Sequence, residues 1–420
     1  MLQTLFDPGF FFVNYPFSNC YALPKAVSHN KFDLIKETFI LLCLRVQFSE
    51  PEETKSNIVT ADHLREIRKS RNMPSSGRFL ERLSNGQSLL VAEGYLFEIE
   101  RRGYLKAGAF VPEVVLEHPH LVKALHEEFV HAGSDVVLAF TYYAHREKLR
   151  VIGKEDILEN INRKALSIAK EVARETGTLF AGNICNTTVY VRDDEQAKAL
   201  ARSMFKEQVE WAVEAGVDYI LAETFDEVGE AMLALEVIKQ YGKGTPAVVT
   251  LVPSARDVTF DGLSYPEACL RLENAGAAVV GLNCGRGPET ILPLIAEIKK
   301  VCKGPVACLP VPYRTSCQFK TMQSLVHPKT GEKSFPIDLP AHFVGRSEVL
   351  EFGLECKRLG VEYVGLCCGN CSHYMRTLAE SYGRRPAASR FSPDMSQHYM
   401  YGDKAKFNKY NTEDLVAAKN

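Results

Sequence analysis

The segment LGVEYVGLCCG at residues 359–369 contains a glycine, a short turn, an apolar run and a pair of cysteines, in that order. The same order of glycine, turn and apolar run occurs in AGSDVVLAFTYY at 132–143, AGVDYILAETF at 215–225 and AGAAVVGLNCG at 275–285. Glycine is the usual residue where a helix ends, and an unbroken Val/Ile/Leu run is typical of a parallel strand buried on both faces. Each copy therefore predicts a helix end that leads directly into a buried strand.

Weaker copies of the pattern complete a regular alternation of strands and helices. The predicted strands are SLLVAEGYL (88–96), DVVLAFTYY (135–143), TLFAGNI (178–184), DYILAETF (218–225), PAVVTLVP (246–253), AVVGLNCG (278–285), PVACLPVPY (305–313) and EYVGLCCG (362–369). Such a set, alternating with helices over about 300 residues, has the size of a closed (β/α)8 barrel of the TIM type. A doubly wound open sheet is the alternative, but no G-x-G-x-x-G motif follows the first strand.

Composition excludes several classes of partner. The chain has 420 residues and a formal net charge of −2 with both signs interspersed, so we expect neither nucleic-acid binding nor a basic membrane patch. No apolar run reaches the roughly 20 residues that a membrane span needs. The amino terminus has no basic residue ahead of its apolar stretch, and twelve cysteines without a secretory signal are typical of a reducing compartment. We therefore expect a cytoplasmic protein and do not favour disulfides.

The barrel pattern runs from residue 77 to residue 385 and leaves two flanking segments. Residues 1–76 match nothing in the barrel and are predicted to be an N-terminal extension. An appendage, a disordered segment and an artefact of gene prediction all stay open for it. Residues 386–420 are predicted to form a short polar and aromatic tail that contacts the barrel or a neighbouring subunit, so a homo-oligomer also stays open.

Three cysteines come at the ends of two predicted strands. Cys284 ends the sixth strand, and Cys367 and Cys368 end the eighth, so all three should lie at the carboxyl-terminal mouth of the barrel. Thiolates of this kind select Zn²⁺, and three protein ligands leave a fourth position open for a substrate thiol. Two alternatives stay open: simple packing of buried cysteine, and a closed structural zinc site in a non-enzymatic barrel with Cys371 as the fourth ligand.

Several motifs carry a resemblance to a known family. GLNC at 281–284 and GLCCG at 365–369 resemble the two zinc-binding signatures of the homocysteine S-methyltransferases. ERRGYLKAG at 100–108 and LAETFDEVGEA at 221–231 are most similar to the betaine-homocysteine S-methyltransferases within that family. The resemblance spans about residues 77–395 and implies a (β/α)8 barrel enzyme that transfers a methyl group to homocysteine, giving methionine. It also implies that Cys284, Cys367 and Cys368 are the zinc ligands.

The resemblance assigns the small-molecule substrates to further residues. Glu223 matches the family carboxylate that holds the amino group of homocysteine. Tyr143 and Phe110 take the places of aromatic residues around the methyl donor, which suits an onium ion because it is held by ring faces. The family's D-G-G is here AEG, so Ala92 replaces the aspartate and Glu93 beside it is a candidate substrate-binding residue. Glycine betaine is the expected donor, with dimethylsulfoniopropionate or S-methylmethionine as alternatives.

Overall fold

The computed structural model describes residues 75–394 and residue 396. The predicted N-terminal extension, 1–76, lies outside these residues except for its last two. The predicted tail, 386–420, is described only at its start, where residues 387–391 form a short 3-10 helix. Its packing against a neighbouring subunit stays a prediction.

Eight parallel strands form a closed barrel, in which each strand pairs with the next and the first pairs with the eighth. The strands are β1 (Leu89–Ala92), β2 (Val136–Leu138), β3 (Leu179–Cys185), β4 (Tyr219–Phe225), β5 (Ala247–Leu251), β6 (Val279–Asn283), β7 (Val306–Leu309) and β8 (Tyr363–Leu366). Every residue of these strands is buried. The closed ring of eight parallel strands confirms the predicted (β/α)8 barrel. Side chains fill the inside of such a barrel and helices cover its outside, so the strands are buried on both faces.

Helices connect the strands on the outside of the barrel. They are α1 (Ser75–Ser84), α2 (Tyr95–Arg101), α3 (Val114–Glu117), α4 (Pro119–His131), α5 (Arg146–Val151), α6 (Leu158–Thr176), α7 (Glu195–Ala215), α8 (Val228–Tyr241), α9 (Tyr265–Asn274), α10 (Pro288–Val301), α11 (Arg346–Leu359) and α12 (Ser372–Ser381). Short 3-10 helices lie at Glu155–Ile157, Met322–Ser324 and Leu339–His342. None of the helices within residues 75–394 combines the length and the apolar character that crossing a membrane demands.

The glycines of the repeated phrase end helices as predicted. Gly133, Gly216, Gly276 and Gly360 have φ angles of 113°, 79°, 100° and 66°. These left-handed conformations cost other residues free energy and cost glycine little, so the chain can leave each helix and turn towards the next strand.

The amino-terminal end of the barrel is closed by α1. The ring of Phe79 stacks on Tyr219, the first residue of β4, with ring centroids 4.2 Å apart. The Tyr219 hydroxyl lies 2.9 Å from that of Tyr363, the first residue of β8. Phe79 is fully buried, so α1 is part of the barrel core, and the helix begins two residues before the predicted boundary at 77. Functional residues of (β/α)8 barrels lie at the opposite end, where the strands end, so we look for the active site there.

The first predicted strand is too long. The pattern predicts a strand over 88–96, but β1 ends at Ala92 and α2 begins at Tyr95. Gly94 makes the turn with a φ of 88°, and a Cβ atom there would overlap the carbonyl oxygen of Cys367. This tertiary contact brings the segment after β1 against the end of β8.

Candidate active site

Three cysteine side chains meet at the carboxyl-terminal mouth of the barrel. The Sγ atom of Cys284 lies 3.7 Å from that of Cys368, and the Sγ atoms of Cys367 and Cys368 are 4.0 Å apart. All three sulfurs lie within 4.8 Å of one another. Cys284 and Cys367 are buried, and Cys368 is partly exposed. The structure therefore brings together the three cysteines that the strand ends predict.

Local backbone turns aim these side chains at one point. Cys284 directly follows β6 and has a φ of 60°, while its N–H donates to the carbonyl oxygen of Leu309 at 2.8 Å. Cys367 directly follows β8, and its carbonyl oxygen accepts from the N–H of Asn370 at 2.9 Å, which closes a turn. Because the turn replaces the regular alternation of a strand, neighbouring Cys367 and Cys368 can point at the same place.

The spacing of the sulfurs fits a tetrahedral metal ion. Zinc binds thiolates at about 2.3 Å, so two ligands of one tetrahedral ion lie about 3.8 Å apart. The sulfur–sulfur distances of 3.7 Å and 4.0 Å bracket that value. Cys371 is not a member of this group within the described residues, and its Sγ atom lies 3.2 Å from Nδ1 of His373. Among the described residues, three clustered thiols and not four could therefore hold an ion here.

The cluster favours a thiolate at one of its members. Hydrogen bonds from Cys367 and Cys368 lower the pKa of Cys284 well below its ordinary value, and the N–H of Gly285 adds to the effect. The pKa values of Cys367 and Cys368 are raised, first through their hydrogen bonds to Cys284. The protonation of each of the three thiols therefore depends on that of the other two.

Two buried carboxyl groups lie beside the cysteines. Oxygen atoms of Glu93 and Glu223 and the sulfur of Cys367 are within 4.8 Å of one another. In Glu223, Oε1 accepts from Nδ2 of Asn183 at 2.6 Å, and Oε2 accepts from Nδ2 of Asn283 at 2.8 Å. Burial raises the pKa of Glu223 to about 7. The carboxyl group of Glu93 contacts Cys367 and Glu223, but neither of its oxygens has a well-aligned hydrogen-bond donor.

Burial and the neighbouring Glu223 raise the pKa of Glu93 well above its ordinary value. Glu93 follows β1, and its side chain is only 2% exposed. A buried carboxyl group without a partner is costly, because it has lost its water and gained no donor in return. Such groups are common where a ligand supplies the missing hydrogen bonds.

A small cavity of about 40 Å³ joins the thiols and the carboxyl groups. Cys284, Cys367, Cys368, Glu93 and Glu223 all line it. Its remaining wall is largely apolar and aromatic, formed by Tyr95, Leu96, Leu138, Phe140 and Tyr142 among others. Concave apolar pockets with a few converging polar groups are the usual form of small-molecule sites.

Comparison with known proteins identifies the family. The sequence profile of the homocysteine S-methyltransferase family matches residues 92–382, which is more than half of the chain. The chain belongs to the homocysteine S-methyltransferase family. It is therefore a methyltransferase, and membership supports homocysteine as the methyl acceptor.

Several proteins similar to this chain carry established names. Betaine–homocysteine S-methyltransferase 1 of Xenopus tropicalis is 33% identical over 335 residues, covering 77% of this chain and 79% of the relative. S-methylmethionine–homocysteine S-methyltransferase BHMT2 of Pongo abelii is also 33% identical over 335 residues, covering 77% of this chain and 85% of the relative. The metallated homocysteine methyltransferase MmuM of Escherichia coli has a TM-score of 0.55 at 17% identity, covering 70% of this chain and 96% of that chain, and supports the fold alone.

The two aromatic residues predicted to surround the methyl donor lie outside the cavity wall. The ring of Phe110 stacks on Phe97, with centroids 5.6 Å apart. The Nζ atom of Lys148 lies over the ring of Tyr143, 4.0 Å from its centroid. The same ring contacts that of Tyr142, with centroids 4.4 Å apart. Their role around the methyl donor stays a prediction.

The sequence patterns did not predict the residues that hold Glu223 in place. Asn283 precedes Cys284 in the GLNC motif, and Asn183 lies in the third strand. Asn283 is fully buried, and its Oδ1 accepts from the N–H of Thr224 at 3.0 Å and from the hydroxyl of Thr250 at 2.9 Å. Each of these asparagines lies in an otherwise apolar buried strand. This pattern could have indicated a buried hydrogen-bond network, because a buried amide requires hydrogen-bond partners.

Proposed function

We propose that this protein transfers a methyl group from an onium donor, with glycine betaine as first choice, to the thiol of homocysteine, giving methionine. Zinc held by Cys284, Cys367 and Cys368 is part of the proposal. The observation that carries it is the cluster of three sulfurs within 4.8 Å of one another on the wall of a cavity that also contains Glu93 and Glu223. The sulfur of Cys368 lies 3.7 Å from that of Cys284 and 4.0 Å from that of Cys367, as for two ligands of one tetrahedral ion. A thiol-binding position and an amino-binding position thus adjoin each other.

The chemistry that zinc supplies when bound is to lower the pKa of a thiol in its fourth position, so that a thiolate nucleophile forms at neutral pH. Three protein thiolates leave that position open, as in catalytic rather than structural sites. Cys371, whose sulfur contacts His373 at 3.2 Å, does not fill it in this geometry. This supports the enzyme over a non-enzymatic barrel with a closed zinc site.

The chain's own residues orient the homocysteine and exclude water. The carboxyl groups of Glu93 and Glu223 face the position of the substrate amino group, and Asn183 and Asn283 hold Glu223 in place through bonds of 2.6 Å and 2.8 Å. In the reaction the sulfur–methyl bond forms as the nitrogen–methyl bond of betaine breaks. The thiol proton passes to solvent, and the donor leaves as a neutral tertiary amine, so no oxidant or reductant is needed.

Aromatic rings in and beside the cavity suit an onium donor. A trimethylammonium or sulfonium group has no N–H to donate, so ring faces are its natural partners. Tyr95, Phe140 and Tyr142 line the cavity, and Tyr143 packs on Tyr142. Relatives named for betaine and for S-methylmethionine are both 33% identical, so identity does not choose between these donors. Betaine is preferred for the resemblance around HAGSDVVLAFTYYAHREKL at 131–149; S-methylmethionine and dimethylsulfoniopropionate are alternatives.

Methionine formation by the purified, zinc-loaded protein tests the proposal. The assay contains homocysteine and, one at a time, glycine betaine, S-methylmethionine, dimethylsulfoniopropionate and methylfolate, with Cys368→Ala as the inactive control. We expect an onium donor, betaine first, to give methionine and methylfolate to give none. Methionine from methylfolate alone, or none from any donor with zinc bound, would overturn the proposal.

A further inference from the structure

Arg286, two residues after Cys284, is a charged side chain that is only 2% exposed. Taking a guanidinium out of water is costly unless strong partners replace the water. Its carboxylate partner, Asp257, is 44% exposed, so solvent screens their attraction. Among the described residues its Nε atom has no hydrogen-bond partner, and the cavity wall that they form does not include it. Neither fold stability nor substrate contact therefore accounts for a buried arginine here.

The backbone at Cys284 is held in a conformation that residues other than glycine rarely adopt. Cys284 has a φ of 60° and Gly285 a φ of 65°. The N–H of Arg286 donates to the carbonyl oxygen of Cys284 at 2.6 Å, which closes a tight turn around Gly285. The carbonyl oxygen of Arg286 in turn accepts from the N–H of Val311 at 2.9 Å. A left-handed cysteine costs free energy and persists only where the surrounding structure holds it.

The side chain of Arg286 connects this turn to the neighbouring loops at the barrel mouth. Its Nη2 atom donates to the carbonyl oxygen of Ser254 and, at 2.5 Å, to Oδ1 of Asp257, both in the loop after β5. Its Nη1 atom donates to the carbonyl oxygen of Thr290 in the first turn of α10, at 3.3 Å. The other oxygen of Asp257 accepts from Nζ of Lys320, in the loop after β7. The turn after Cys284 is thus tied to the loops on both sides of it.

We infer that Arg286 is a positioning residue for the proposed zinc ligand Cys284: its side chain fixes the turn that aims this thiol at Cys367 and Cys368. The inference rests on the zinc site of the proposed function and goes beyond it. Residues that orient metal ligands without touching the metal typically change metal affinity by about tenfold to a hundredfold when they are replaced. A buried ion pair often adds little to stability, but in some proteins it fixes one arrangement of the chain. Arg286 acts in this second way.

The rate of zinc release from the zinc-loaded full chain tests the inference. An excess of the coloured chelator 4-(2-pyridylazo)resorcinol takes up the zinc, and its absorbance gives the rate. Arg286→Met keeps an unbranched side chain and removes the guanidinium. We expect this variant to release zinc about tenfold to a hundredfold faster than the unaltered protein. Arg286→Lys should lie between the two, because one ammonium group cannot reproduce the fork of contacts that a guanidinium makes.

A control variant separates this effect from a general loss of stability. Phe79→Leu removes part of a fully buried ring at the opposite end of the barrel, so it should lower Tm and leave zinc release unchanged at temperatures well below Tm. The visible absorption of the Co²⁺-substituted protein gives a second readout, since it depends on the number and arrangement of the thiolates. We expect Arg286→Met to alter this spectrum and Phe79→Leu to preserve it.

Two results would overturn the inference. One is an Arg286→Met variant, or an Arg286→Lys variant if the first does not fold, that keeps the release rate or the cobalt spectrum of the unaltered protein. The other is an equal acceleration of zinc release by Phe79→Leu at the same loss of Tm. In both cases zinc binding and methionine formation by the unaltered protein would leave the proposed function standing. If the unaltered protein binds no zinc, the proposed function and the inference both fail.

Discussion

Replacing Asn283 by aspartate changes one NH2 group to an oxygen without altering the size of the side chain. In the fully buried native residue, Nδ2 donates to Oε2 of Glu223 and to the hydroxyl of Thr224, both at 2.8 Å. Its Oδ1 accepts from the N–H of Thr224 and the hydroxyl of Thr250. Aspartate keeps the two accepted bonds and loses the two donated bonds. A carboxyl oxygen then faces another carboxyl oxygen.

The expected loss of stability follows from those two bonds. A hydrogen bond to a charged group contributes about 1.5–3 kcal/mol, and one to a hydroxyl about 0.5–1.5 kcal/mol. We therefore expect the free energy of unfolding to fall by about 2–4 kcal/mol, which lowers Tm by several degrees. Asn85→Asp, in the exposed loop after α1, controls for the added charge and should leave Tm nearly unchanged.

A second substitution, at Glu223, tests whether the loss of stability comes from the broken hydrogen bond between residues 223 and 283 or from the new residue itself. With Glu223→Gln added to Asn283→Asp, the new glutamine amide can donate to the new aspartate, so a donor again faces an acceptor. Calorimetry of the full chain at fixed zinc concentration should show the double variant recovering at least about 2 kcal/mol relative to the sum of the single effects. Purely additive losses would show that the network does not hold Glu223 as described.

Cys284→Ala should abolish tight zinc binding because two ligands remain, whereas Cys371→Ala should leave zinc content unchanged. Tyr143→Ala should lower kcat/KM for the methyl donor and leave homocysteine binding intact. The expected loss of transition-state stabilisation is about 1–2 kcal/mol, the contribution of one desolvated cation–π contact. His126 is buried with both ring nitrogens unpaired, and burial lowers its pKa from 6.5 to about 3. His126→Leu should therefore stabilise the fold more at about pH 5 than at pH 7, by up to about 1.4 kcal/mol per pH unit.

The sign of the His126 effect follows from proton binding. Between the folded pKa of about 3 and the unfolded value of 6.5, only the unfolded chain binds the proton. The free energy of unfolding of the native protein is therefore unaffected by His126 protonation above the unfolded pKa, and it falls as pH drops below that value. His131→Gln, at the exposed end of the same helix, controls for the loss of an imidazole.

Each of these predictions has a contradicting result. A pH-independent gain for His126→Leu would rule out burial of the neutral ring as the cause. Zinc retained by Cys284→Ala, measured by atomic emission, would contradict a zinc site shared by the ends of the sixth and eighth strands. Equal donor use by the Tyr143 variant would place the donor among the cavity aromatics instead.

The fold could be predicted because its signals are local. An unbroken apolar run can be read from the chain, and all eight strands lie at such runs. Four of them also follow a glycine of the repeated phrase that has a left-handed conformation. The end of β1 could not be read in this way. EGYL continues an apolar pattern, and the turn at Gly94 depends on contact with Cys367, which is distant in sequence.

The candidate site was predictable only in part, for a similar reason. Barrel geometry places every strand end at one mouth, so the three cysteines could be brought together from their positions alone. The partners of Glu223 could not. Asn183 reaches it from the neighbouring strand β3 and Asn283 from β6, two strands away, in a register that the sequence does not state. The aromatic wall includes Tyr142 rather than Tyr143, a difference set by the turn after β2, where Tyr143 has a φ of 59°.

X-ray absorption at the zinc edge tests the central claim most directly, because it counts the sulfurs around the ion. The purified protein should show three sulfur ligands and one lighter atom, and homocysteine should replace the lighter atom with a fourth sulfur. Four sulfurs before homocysteine is added, with no change afterwards, would contradict the account and indicate a closed structural site that includes Cys371.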